Sequence, residues 1–141
     1  MIRDCLEGTV DFGPEPYVLN VNRAAMQNEN FRTAVWTGEL LQMTLMSVPV
    51  GGEIGLELHE DTDQYIRVEQ GCAAVKIGMC REHPDFGRQM CRGEAVFVPA
   101  GTWHNVVNIG RVPLKISSIY APPHHPRGTV EREKEEMSRH Y

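Results

Sequence analysis

Glu57 and His59 stand two residues apart in the stretch 51–71, GGEIGLELHEDTDQYIRVEQG. On a strand that spacing sends both side chains to one face. After a polar loop, Gln64 opens a further strand on which Gln64, Ile66 and Val68 share one face and Tyr65, Arg67 and Glu69 the other. A second histidine, His104, lies in the stretch 93–108, GEAVFVPAGTWHNVVN. A short apolar strand over 95–98 runs there into a Pro99-Ala100-Gly101 turn, Pro99 presetting φ and Gly101 permitting backbone angles that other residues avoid. His104 follows at the start of the next strand, where a side chain can point into a barrel mouth. Two imidazoles, a carboxylate and an amide oxygen from separate strands could converge on one ion. Glu57, His59 and His104 would supply the two-histidine, one-carboxylate set that suits Fe(II) with positions open to substrate and O₂. Gln64 would add a neutral oxygen or leave its place to water. Zn(II), Mn(II) and Ni(II) fit the same donors. The plainer reading is a core histidine beside a hairpin, with Glu57 and Gln64 hydrogen-bonded to each other. A carboxylate buried without a cation or donors is costly, which favours the ion.

Together the two stretches resemble the two motifs of the cupin superfamily. The second matches in full: Gly93, five residues, Pro99, one, Gly101, two, His104, three, Asn108. The first matches in spacing: Gly51, five residues, Glu57, one, His59, four, Gln64, six, Gly71. Family members usually carry His, His and Glu at the three inner positions, which here are Glu57, His59 and Gln64. The exchange keeps one negative charge on the donors, so a divalent ion would leave the site at the same net +1. The short separation between the motifs is that of small bacterial cupins. The resemblance implies an all-β fold, an antiparallel jelly-roll barrel, and one divalent ion as cofactor. Because cupins commonly pair through N-terminal strands, it also implies a homodimer. It says little about the reaction, since one fold hosts many chemistries.

The elements that must position these residues follow from pattern. Strands are expected over 17–21, 31–36, 39–48, 53–59, 64–69, 73–79, 89–91, 95–98, around His104, and over 114–121. About ten short strands spaced by turn residues argue for a jelly roll or barrel. The strand 39–48 is apolar on both faces. Ile54, Leu56 and Leu58 are expected opposite Glu57 and His59, and so to need a cover: the other sheet, an arm or a second subunit. Together with 40–48 they are the expected dimer surface. Residues 22–30 suit a turn of helix. Residues 122–128, PPHHPRG, read as an extended linker, and 129–139 as a surface helix with Thr129 at its cap and helix-spaced pairs Glu131–Lys134 and Glu135–Arg139. The chain divides into an arm (1–30), a barrel (31–121) and the linker with its helix (122–141), one domain of 141 residues.

A formal net charge of −5 argues against nucleic acid or an anionic membrane as partner. No apolar run approaches the roughly 18 residues that span a bilayer, and the N-terminus lacks an apolar signal core. The expected location is the cytoplasm, and the expected partner a small-molecule ligand. Cys5, Cys72, Cys80 and Cys91 form no C-x-x-C pair. They read as free thiols rather than a zinc site or a disulfide framework; Cys80 and Cys91, flanking a hairpin loop, are the pair that could meet.

Trp103, next to His104, should face away from the site and pack. Phe97 and Tyr65 suit the barrel or an interface, and His83 a solvated loop. Tyr120 and Lys115 are candidates for a cavity rim or the core. His124 and His125, framed by prolines, are either a stiff linker or a flap over a barrel mouth. Three functions fit. The first is a metal-dependent enzyme on a small organic molecule, with oxygenase chemistry leading. The second is a sugar or sugar-phosphate isomerase or epimerase. Cupin mannose-6-phosphate isomerases have similar ligand types with the Gln and Glu positions exchanged, and for the phosphate Arg67 and Lys115 are available. The third is a non-catalytic small-molecule binder or sensor.

Overall fold

The computed structural model describes residues 11–134. After a helix α1 (Val21–Gln27) the strands run β1 (Arg32–Thr37), β2 (Gln42–Val48), β3 (Glu57–Leu58), β4 (Asp63–Gln70), β5 (Cys72–Gly78), β6 (Phe86–Cys91), β7 (Ala95–Val98), β8 (Trp103–Asn108), β9 (Leu114–Ala121) and β10 (Val130–Glu131). They form two antiparallel sheets, ordered β10-β1-β2-β9-β4-β7 and β3-β8-β5-β6. This is the jelly roll that the strand spacing and the motifs imply. Apolar residues of both sheets, among them Met46, Ile66, Val75, Val106 and Ile116, pack into one core between them. The two apolar faces of β2 have separate destinations. Met46 and Val48 enter that core, whereas Leu45 packs with Val35 of β1 against Ala25 of α1. The residues expected to cover a dimer surface are thus largely used within the chain, and Leu40 and Leu41 remain exposed.

Four sequence expectations are corrected. Residues 17–20 form no strand; Asn20 instead caps α1, its side chain accepting from the Arg23 N–H. The stretch 53–59 is not one regular strand. Glu53 bridges Val107 while Glu57 pairs with His104, a one-residue slip centred on Gly55, whose φ of +104° suits glycine alone. A regular strand would send Ile54 and Glu57 to opposite faces. The slip lets Ile54 enter the core while Glu57, three residues on, also faces inward. Leu56 is left exposed.

The stretch after residue 128 does not start as a helix. Val130 and Glu131 extend the large sheet beside Thr33 and Arg32, and the Thr129 hydroxyl donates to the Pro126 carbonyl rather than capping. A buried partner for Glu131 outweighs its helix-spaced pair with Lys134; residues 135–139 lie outside the described residues. Finally, Cys72 and Cys91 face each other across β5 and β6 and form a disulfide, while Cys80 is free and exposed and bridges His83. Strand register brought together a pair that loop spacing did not suggest. Cys5 lies outside the described residues.

Candidate metal centre

The turn between β7 and β8 is fastened from two sides. The Gly101 N–H donates to the His59 carbonyl at 2.8 Å, and the Ala100 N–H donates to the Asp63 carboxylate at 2.9 Å. Gly101 has φ +82°. These bonds fix the start of β8 against the end of β3 and the start of β4, the three places that carry His104, His59 and Gln64. Asn108, the last residue of the second motif, has a structural part. Its amide nitrogen donates to the carbonyls of Val48, Pro49 and Val112, and its oxygen accepts from the Gly110 N–H, which ties the β2–β3 and β8–β9 connections together at the other end of β8.

Glu57, His59 and His104 each offer a donor atom, and these atoms lie within 4.8 Å of one another. Glu57 Oε1 is 3.3 Å from His59 Nε2 and 3.8 Å from His104 Nε2. The two imidazole centroids are 5.2 Å apart, and both histidines are buried. The Thr102 carbonyl, 3.3 Å from His104 Nδ1, suits the tautomer with its proton there, and Nε2 then carries a lone pair. That nitrogen is buried with no hydrogen-bond partner among the described residues, as is the amide oxygen of Gln64. Gln64 sits on β4 between Val98 and Tyr120, 4% exposed. Unpartnered buried acceptors are expensive. Two imidazole nitrogens, a carboxylate and an amide oxygen are also the donor types that a first-row divalent cation accepts. The residues fit such an ion.

The electrostatics agree. Burial alone would raise the Glu57 pKa, but His59 against it and the nearby Arg32 guanidinium outweigh burial and hold the carboxyl below its ordinary range. Burial lowers His104, against the opposing pull of Glu57, which favours the neutral form that a ligand needs. Arg32, fully buried on β1, reaches Glu131 at 2.7 Å and Glu57 at 3.6 Å. Glu131 balances the Arg32 charge, so Glu57 leaves one net negative charge facing the two imidazoles.

Residues 122–126 fold over this mouth. Gln42 of β2 holds them: its side-chain oxygen accepts from the backbone N–H groups of His124 and His125 at 3.2 and 3.0 Å, and its nitrogen donates to the His125 carbonyl at 2.8 Å. The His124 ring lies 4.0 Å from that of His59, and His125 stands edge-on to Tyr120 at 5.1 Å. Tyr120 is wholly buried and lies 5.8 Å from His59, so it belongs to the wall of the site. Of the two readings of the histidine pair, linker or flap, the flap is the one found. Lys115 is elsewhere. It lies five residues along β9 from Tyr120, roughly 16 Å at strand rise, and donates to the Asn28 carbonyl and the Ser47 hydroxyl. Trp103 faces away, under Arg81, and Phe97 is exposed beside Tyr65 on the outer face.

Sequence reasoning missed Arg32, Gln42 and Glu131. The available signal was polar side chains inside apolar strands: Arg32 in FRTAVW and Gln42 in LLQMTLM.

The fold and the site define a class, and the comparisons agree with it. A cupin domain profile matches residues 44–120, more than half of the chain, and the chain belongs to the cupin family. It is 55% identical over 124 residues to the uncharacterized protein YrkC of Bacillus subtilis (strain 168), a match covering 88% of this chain and 67% of that one. It is 34% identical over 116 residues to the uncharacterized protein L612 of Acanthamoeba polyphaga mimivirus, covering 82% and 71%. The crystal structure of BH2720 from Bacillus halodurans superposes with a TM-score of 0.90 at 48% identity, covering 92% of this chain and 98% of that. No helix among the described residues is long and apolar enough to cross a membrane.

Proposed function

We propose that this cupin is a metal-dependent enzyme acting on a small organic molecule, with oxygenase chemistry the leading class. One observation carries the reading: three donor atoms gathered within 4.8 Å, from the half-buried Glu57 and the buried His59 and His104. The Gln64 oxygen, buried without a partner among the described residues on β4 of the facing sheet, is a fourth candidate donor. A bound Fe(II) would supply Lewis acidity and oxygen chemistry at its open positions. The chain's own residues do the rest. Glu57 stays ionised, and Arg32 and Glu131 cancel each other's charge. Tyr120 and the segment 122–126 screen the pocket from water, which strengthens every charge interaction inside it.

The sugar-phosphate reading is weaker for a stated reason. Of the cations expected to grip a phosphate, Lys115 is held at a distance along β9, and Arg67 is half exposed beside Glu69. The test is oxygen uptake by Fe(II)-loaded protein against a panel of small catechols, diketones and thiols. Uptake that depends on one substrate and is abolished in H104A supports the reading; uptake equal in both proteins contradicts it. The assembly we propose is a homodimer through the outer face of the six-stranded sheet, where Phe97 is 73% exposed beside Tyr65.

A further inference from the structure

Glu57, His59, His104 and Gln64 all approach the pocket from the barrel strands or their immediate ends. One further imidazole comes from outside the barrel strands, on the segment 122–126. The His124 ring is 4.0 Å from that of His59, closer than the His104 ring at 5.2 Å. Its position is built rather than incidental. Both ends of the Gln42 amide hold the backbone of residues 124 and 125, and Pro122, Pro123 and Pro126 restrict the chain on either side. The backbone at His124 is thus anchored, and its exposed side chain lies against the rings of His59, Tyr120 and His125. His125 differs: its ring is turned against Tyr120 and its Nε2 is buried. The two rings meet at a tilt of 54°, and neither nitrogen of the buried His59 ring has a hydrogen-bond partner among the described residues. Three donors, or four with Gln64, leave at least one position on a divalent ion that favours nitrogen.

Resting on the metal reading above, we infer that His124 is a third imidazole ligand of that ion, delivered by the segment 122–126 from outside the barrel strands. The segment then closes the centre, and an incoming small molecule competes with His124 for its position.

Cu(II) alone is a sufficient probe. Its electron paramagnetic resonance spectrum resolves the directly bound nitrogens, and titration gives its Kd. The expected result is three nitrogens in the wild type, two in H124A and in H124N, and three in H125A, with Kd weakened roughly tenfold or more by loss of His124. His124 is exposed, so both variants should fold, and circular dichroism checks this. Equal nitrogen counts in the wild type and H124A, with Kd unchanged within about twofold, would overturn the inference and leave the metal centre standing. A wild type that takes up no Cu(II) would overturn the metal reading and this inference together.

Discussion

Arg32 and Glu131 are separated by 99 positions in sequence and joined at 2.7 Å in the fold. The contact closes the sheet edge where β10 meets β1, and it does so beside the candidate centre, since the same guanidinium lies 3.6 Å from Glu57. The last described strand is therefore part of the site wall. Because Arg32 has no solvent exposure, removing Glu131 takes the nearer of two carboxylates from a buried charge and leaves Glu57 at 3.6 Å. E131A should cost about 3 kcal/mol of stability, read as a lowered urea midpoint with unchanged slope. A loss below about 0.5 kcal/mol, the level of an exposed pair, would show that the pair is not a buried one in solution.

Gln42 holds the segment over the mouth through bonds that use both ends of its amide. Q42L removes these and leaves backbone groups unsatisfied, at a cost of about 2 kcal/mol. The sharper readout is local. Trypsin should cut after Arg127 faster in Q42L than in the wild type under native conditions, because the anchored segment must open to be cleaved. Equal cutting rates would mean that the amide does not anchor it.

His125 gives a pH dependence. Burial first, then Arg32 and His124, push its pKa down to about 3. In the unfolded chain a histidine titrates near 6.5. Between those values the unfolded state binds the extra proton, so stability rises with pH there and falls on acidification from about 6.5. Burial lowers His104 and His124 as well, which steepens the same slope. Denaturant unfolding of chelator-treated protein at pH 4.5 to 7 should show this fall, and H125N, which cannot charge, should flatten it. Parallel curves for the two proteins would refute the assignment.

The exposed Phe97 beside Tyr65 sets up the fourth prediction. Light scattering should give the mass of two chains, and F97D should lower it to one. A single-chain mass for the wild type contradicts the dimer.

Much of this was legible in residue pattern, for identifiable reasons. The strands β7 to β9 follow from alternation and from the turn residues Pro99 and Gly101, and the placing of Glu57, His59 and His104 on one pocket follows from strand periodicity and the motif spacing. What escaped depends on tertiary position. The slip at Gly55 that turns Glu57 and Ile54 to the same side needs a partner strand to define it. The Cys72–Cys91 pair needs the β5–β6 register. Val130 and Glu131 read as helix until Arg32 supplies a buried partner, and Gln42 has no local signature as an anchor for residues 124 and 125.

The most direct test of the metal centre is elemental analysis of the protein purified without added metal, beside H59A and H104A. The centre predicts close to one equivalent of a first-row divalent metal per chain in the wild type and little in either variant, with circular dichroism unchanged. Wild-type protein that stays metal-free even after incubation with Fe(II), Mn(II), Zn(II) or Ni(II), or H59A/H104A protein that retains full occupancy, would contradict it.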